Sequence, residues 1–187
     1  MNPGPRRAAA IFQATLELLA EHGYERLTVE GVAERAGVNK TTIYRWWPSK
    51  AALLGAALTC GAPLDLTAPD TGTLQGDLTE LVRSLVRLLT LPPASDIAVA
   101  ALGAAAGNPE LAGHTRGFFA DRLARELPVF ERAAARGELS PDADPMLLMD
   151  LLAGAVWARA VFRGLPIEDD FPEHAVSTVL HGIARRR

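Results

Sequence analysis

Between Thr28 and Lys50 the chain gathers side chains suited to contacting a polyanion. Lys40, Thr41, Thr42, Tyr44, Arg45 and Trp46 crowd into one short run, interrupted by the aliphatic Ile43. At about 100° per residue, Ile43 and Trp47 fall on one side of a helix. Thr41, Thr42 and Arg45 take the opposite side, with Tyr44 and Trp46 on its flanks. A guanidinium pairs with guanine O6 and N7 and a threonine methyl meets thymine, so such a side can read base edges. Tyr44 and Trp46 each carry one polar hydrogen on a flat apolar body, which suits a phosphate. Lys40, at the helix start, can reach a base or a phosphate. Thr28 stands at the start of another helix, where backbone N–H groups and the dipole attract an anion. Lys50 follows Pro48-Ser49 in the first turn of the next helix, where a cation opposes the dipole. The sequence offers no stabilising reason for it, and a phosphate is the expected partner.

These residues need a scaffold, and the flanking sequence supplies one. A first helix runs from Arg6 to about His22, with Ile11, Thr15, Leu18, Leu19 and His22 on one stripe, and stops at Gly23. Thr28 caps a second helix over residues 28–36, with Val29, Val32 and Ala33 facing inward. Gly37 follows where a helix end needs a left-handed residue. Asn39 then caps a third helix over residues 40–47. Two short helices joined by a tight glycine-containing turn make a helix-turn-helix, here about residues 28–47.

The wider chain is compatible with that reading. Net charge is −3 over 187 residues, but residues 1–60 hold seven Lys/Arg against five Asp/Glu while the remainder holds twelve against seventeen. Only the N-terminal third can face a polyanion. The single cysteine, Cys60, excludes an internal disulfide and a thiolate metal cage and fits a reducing cytoplasm. The N-terminus lacks a signal-peptide apolar stretch. Residues 97–107, the most apolar window, are too few to cross a bilayer, so no membrane partner is expected. His22, His114, His174 and His181 show no metal-ligand spacing, and no cofactor motif or nucleophile–base pair appears. The chain is not expected to be an enzyme.

Beyond residue 60 almost every segment reads as helix. Asn108-Pro109 and Asp144-Pro145 each set a capping side chain before a proline at the first helical position. Asp170 is expected to cap a helix with Glu173 three residues on. Gly103 and Gly107 predict a close helix contact. Residues 59–73, rich in Pro, Gly, Thr and Asp and including the turn at 61–63, predict a hinge. Leu148, Leu151, Leu152, Ala155, Val156 and Phe162 form one apolar side of a helix, and Val176, Val179, Leu180 and Ile183 another.

The run T-V-E-G-V-A-E-R-A-G-V-N-K-T-T-I-Y-R-W-W-P-S-K-A-A-L-L, Thr28 to Leu54, resembles the N-terminal domain of the TetR family of regulators. The preceding I-F-Q-A-T-L-E-L-L-A-E-H-G-Y, Ile11 to Tyr24, is similar to that family's first helix. The resemblance implies an all-α fold: a three-helix DNA-binding domain over residues 5–60, and a helical bundle for ligand binding and dimerisation over residues 73–187. It implies phosphate contacts at Thr28, Tyr44 and Lys50 and base contacts at Lys40, Thr41, Thr42 and Arg45. Trp46 departs from the smaller, basic or histidine residues often found at its place. The last two helices are then expected to pair with their twins in a homodimer, matching a palindromic operator. Ala101, Phe118, Phe119 and Trp157 are the candidates to line a ligand cavity. Small residues at 98–104 and the scarcity of charge there point to a small apolar effector acting on a lever helix that begins near Pro48. The implied function is a ligand-released repressor. The alternative is a constitutive or architectural DNA-binding regulator with no effector.

Overall fold

The computed structural model describes residues 7–60 and 68–182, which hold nine α-helices and no strand. Arg6, Ile183 and the predicted turn at 61–63 lie outside the described residues, as do residues 61–67 of the predicted hinge. The helices are α1 (Ala8–Arg26), α2 (Val29–Ala36), α3 (Lys40–Trp46), α4 (Lys50–Cys60), α5 (Leu74–Thr90), α6 (Ala94–Gly107), α7 (Pro109–Ala135), α8 (Pro145–Trp157) and α9 (Phe171–His181). A π-helical turn, Ala158–Phe162, extends α8.

Packing divides the chain into two compact units. One comprises α1–α4 together with α6 and the part of α7 up to Asp121; the other comprises α5, the rest of α7, α8 and α9. In the first unit α1 buries Ile11, Ala14, Thr15, Leu16, Leu18 and Leu19. His22, expected on that stripe, is exposed and lies 3.5 Å from Glu21. Its imidazole gains more from water and a carboxylate than from the aliphatic core. The helical assignment also continues past Gly23 to Arg26, across a break where Gly23 adopts φ 72° and ψ 173°. Only glycine takes that conformation readily. The bond from Leu27 N–H to the Gly23 carbonyl (3.2 Å) closes the segment beyond it.

α4 buries Leu53, Leu54, Ala57 and Leu58, and α6 buries Ile97, Ala98 and Ala101. Gly103 and Gly107 do not make the close contact expected of them, since a Cβ at either would meet nothing within 4 Å. Gly55 makes it instead: a Cβ there would lie 2.4 Å from Cγ of His114 on α7. An alanine-rich helix such as α6 already has room on its flanks, whereas the Leu-rich α4 needs one gap to admit α7.

In the second unit α5 buries Leu74, Leu78, Leu81 and Val82 against α8 and α9. Its buried Asp77 accepts hydrogen bonds from the Thr71 amide (2.6 Å) and hydroxyl (2.8 Å). Its other carboxylate oxygen lies 3.9 Å from Arg132 and 3.8 Å from Arg136. Asp144 caps α8 as expected, accepting from the amides of Met146 (2.9 Å) and Leu147 (3.2 Å). Asp170 does not cap α9; its carboxylate lies beside His174, 3.6 Å away, and Glu173 pairs with Arg83 of α5. A guanidinium is a stronger partner for Glu173 than a backbone amide.

The apolar side predicted on α8 is divided. Leu152 and Val156 are buried and Leu148 and Ala155 half-buried, while Leu151 is 51% exposed and Phe162 79%; Leu147, outside that set, is 54% exposed. Pro145–Phe162 makes eighteen residues apolar and long enough to cross a membrane. The π-helical turn carries α8 on to Phe162, which the predicted apolar side already included.

Candidate nucleic-acid interface

The reader helix is positioned by local caps and by contacts with α1. The Thr28 hydroxyl accepts the Gly31 amide (3.1 Å) and starts α2, whose Val29, Val32, Ala33 and Ala36 are buried. Gly37 takes the left-handed conformation (φ 64°, ψ 41°), and the Val38 amide reaches back to the Ala33 carbonyl (2.9 Å). That pattern ends α2 and reverses the chain within two residues. Asn39 then starts α3 by accepting the Thr41 amide (2.9 Å) and hydroxyl (2.8 Å). Ile43 is fully buried, and Trp47, which ends α3, meets Phe12 of α1 edge to face at 5.1 Å between centroids. Arg35 fixes α2 to α1 through a two-pronged pair with Glu21 (2.6 and 2.9 Å), and Arg7 bonds the Gly37 carbonyl (2.7 Å). The Arg35 guanidinium holds the Glu21 carboxyl below its ordinary value.

With Ile43 and Trp47 turned inward, the opposite side of α3 is left open. Lys40, Thr41, Tyr44, Arg45 and Trp46 are exposed and Thr42 is half-buried. Among the described residues Arg45 makes no hydrogen bond or ion pair within the chain. An uncommitted guanidinium between two exposed aromatic rings is a ready partner for a base edge. Lys40 is held by Glu30 at 3.2 Å, both side chains more than half exposed. An exposed pair of this kind is weak, so a phosphate can take the lysine over. The Thr41 hydroxyl already donates to Asn39 and keeps only its methyl and its lone pairs for another partner.

Lys50 corrects the sequence reading. Its ammonium donates to the Tyr24 carbonyl (2.8 Å) and lies 4.1 Å from the centroid of the Tyr24 ring. A structural reason for the lysine therefore exists, in a residue 26 positions earlier. Ser49 was missed: its hydroxyl accepts the Ala52 amide (2.9 Å), which caps α4, and donates to Glu110 (2.5 Å). The pattern of serine, then three residues to a helical alanine, was the available signal. Tyr24 and Asn108 were missed as a pair, and no local pattern announces a contact across 84 residues.

The four candidate ligand residues divide between the units: Ala101, Phe118 and Phe119 belong to the first and Trp157 to the second. Ala101 is buried, Phe118 and Trp157 are half-buried, and Phe119 is 39% exposed. The second unit also has an open groove of about 380 Å³ lined by Thr71, Thr73, Gln75, Gly76, Thr79, Glu80 and Arg83. None of the four candidates lines it.

A capped helix-turn-helix with an open, partly cationic reader face, joined to a larger helical portion, defines a DNA-binding regulator of transcription. Residues 11–57 match the model of bacterial regulatory proteins of the tetR family, and residues 68–179 match that of the tetracyclin repressor-like C-terminal domain. The chain belongs to the TetR family. It is 37% identical over 180 residues to the HTH-type transcriptional regulator Rv1556 of Mycobacterium tuberculosis, covering 96% of this chain and 88% of that one. It is 34% identical over 182 residues to the DNA-binding transcriptional repressor TetR of Mycobacteroides abscessus, covering 95% and 93%. The crystal structure of the TetR family transcription regulator SCO0332 superposes with a TM-score of 0.81 at 34% identity, over 97% of this chain and all of that one. These relatives are regulators and not enzymes.

Proposed function

We propose that this regulator is a homodimeric cytoplasmic repressor that holds a palindromic operator and leaves it when a small apolar ligand binds. Residues 5–60 are the DNA-binding domain in this reading and residues 73–187 the domain for ligand and dimer. The observation that carries the DNA part is the free Arg45 on a reader helix whose other side is anchored by Ile43 and Trp47. Arg45, Thr41, Thr42 and Lys40 reach base edges; Thr28, Tyr44 and Lys50 reach phosphates, with Trp46 beside them. Lys50 then shares its ammonium between Tyr24 and a phosphate.

The dimer reading is supported by the apolar side chains that α8 leaves in water, Met146, Leu147 and Leu151, together with Phe162. Exposed apolar side chains, where they gather into a patch, mark an interface. Two readers related by a twofold axis must stand roughly 34–36 Å apart to enter successive major grooves. The ligand reading rests on Ala101, Phe118, Phe119 and Trp157, and an effector can shift the operator equilibrium only by its difference in affinity for the two states.

The test is selection of duplexes from a random library by the full chain, followed by titration with a panel of apolar compounds. A selected palindrome that is released by one compound class supports the reading. A selected palindrome that no compound releases leaves the constitutive regulator, and no selected sequence overturns the DNA part.

A further inference from the structure

The junction between α6 and α7 is bound to the reader's scaffold by polar contacts that the reader itself does not need in order to fold. Asn108 lies between the two helices. Its side-chain oxygen accepts the Leu111 amide (3.0 Å) and so caps α7, while its amide donates to the Tyr24 hydroxyl (3.1 Å). Two residues on, Glu110 accepts from the Ser49 hydroxyl at the start of α4 (2.5 Å). One turn further, His114 fills the gap that Gly55 leaves in α4. Tyr24 in turn holds Lys50 by its carbonyl and its ring. The first turns of α7 thus touch the end of α1, the cap of α4 and the middle of α4. Those are the two helices that flank α3, one through the Phe12–Trp47 contact and the other through the two residues Pro48-Ser49.

The core between these helices is already closed by Leu16, Leu19, Leu53, Leu54, Ile97 and the fully buried Leu111. Burial of that kind is strong but non-directional, and it tolerates small rotations of one helix on another. Hydrogen bonds are directional and fall off steeply with angle. A ring of polar contacts around an apolar core therefore selects one angle of α4, and with it one angle of the reader.

We infer that Tyr24, Ser49, Asn108 and Glu110 are positioning residues for DNA binding, holding α1 and α4 to the α6–α7 junction so that α3 presents its open side at one fixed angle. This rests on the DNA reading proposed above. The four act through α3 and do not touch the nucleic acid.

The experiment uses the full chain and the duplex selected by the wild-type protein. Tyr24→Phe removes one oxygen and leaves the α7 cap intact. Asn108→Ser keeps a capping oxygen and removes the amide. Each should weaken operator binding about five-fold or more, a coupling of the size that links distant sites. The double variant should be no weaker than the worse single variant, because both remove one bond. The slope of log affinity against log salt should stay at its wild-type value, since no phosphate contact is lost. Should Asn108→Ser fail to fold, Tyr24→Phe carries the test alone. Wild-type affinity in Tyr24→Phe overturns the inference. So does a salt slope flattened by about one unit, which makes Tyr24 a direct phosphate contact. Failure of the wild-type chain to select any duplex overturns the DNA reading itself.

Discussion

Two helices of this protein leave side chains without partners among the described residues, and their chemistry is opposite. On α3 the open residues are an arginine and two aromatics with polar hydrogens, Arg45, Tyr44 and Trp46. On α8 they are Met146, Leu147 and Leu151, with Phe162 just beyond. A helix seven residues long with an open polar side gains little by itself, and α3 exists because Asn39 caps it and Ile43 anchors it. α8 has the reverse problem, since its own core contacts, Leu152 and Val156, use only half of its apolar surface. The first helix is finished as a structure and open as a reader. The second leaves apolar side chains in water, which another apolar surface could cover. Incompleteness of one sign fits nucleic acid, and of the other sign fits protein.

The sharpest way to break this comparison is at α8. Leu147→Glu with Leu151→Glu puts charge on residues already in water, so the monomer should keep its helix content. In the dimer the same charges are buried unpaired at a cost of several kcal/mol, roughly enough to dissociate it. Light scattering should report a monomer and gel shift should report loss of a full palindrome. A double variant that stays dimeric removes α8 from the interface. Leu152→Glu is not a substitute, because that residue lies in the monomer core.

Next in size is Arg45→Ala. It should lose about 1–3 kcal/mol on the operator and relax the preference at one base pair per half-site. Unchanged selection by this variant would show that the open side of α3 does not read bases. A smaller effect belongs to Lys50→Ala, which should weaken binding about equally on every sequence and flatten the salt slope by about one unit per half-site. Since the same substitution removes the Tyr24 contact, its melting temperature should fall as well, and Arg45→Ala should leave melting unchanged. An Arg45 variant that melts early would erase the distinction between a finished scaffold and an open reader.

The smallest effect tests the second unit. Glu126 is buried on α7, and burial pushes its carboxyl above the ordinary value although Arg122 draws it back. A carboxyl with a raised folded value binds its proton more tightly in the folded chain. Stability is then greatest below the unfolded value, falls as pH rises through the window up to the folded value, and is flat above it. Glu126→Gln should remove that slope and raise the melting temperature slightly at neutral pH. A steeper slope in the variant would contradict the assignment.

The parts that were legible in the sequence are those whose interactions close within a few residues. Thr28 caps Gly31, Gly37 reverses the chain, and Asn39 caps Thr41, so α2 and α3 could be placed nearly residue by residue. Asp144 and Asn108 cap their helices for the same reason. Where a side chain had a choice between a near and a far partner, the sequence misled. Asp170 and Glu173 had the composition of a cap, yet Glu173 went to Arg83, 90 residues away. Lys50 looked uncommitted because Tyr24 is distant in the chain. Gly103 and Gly107 had the spacing of a contact and Gly55 had none, because a close approach depends on what the other helix brings. The all-α class and the family resemblance needed neither choice, and both are shown by the fold and the family matches.

The π-helical turn at the end of α8 absorbs a residue. Its wider turn accommodates one residue more than an α-helix would over the same rise. Arg159 within it bonds the Pro166 carbonyl (2.9 Å) and covers the Phe171 ring at the start of α9, so the wide turn is pinned at its exit. Deleting one residue from Ala158–Phe162 would let the segment close as an α-helix of 3.6 residues per turn while the later side chains of that helix kept their bearing, because the wide turn had absorbed that residue. Phe162 would stay in water, as Leu147 and Leu151 would. A single codon in this short stretch is thus slack: the turn lets the helix carry one residue more without re-aiming the apolar side chains at its end.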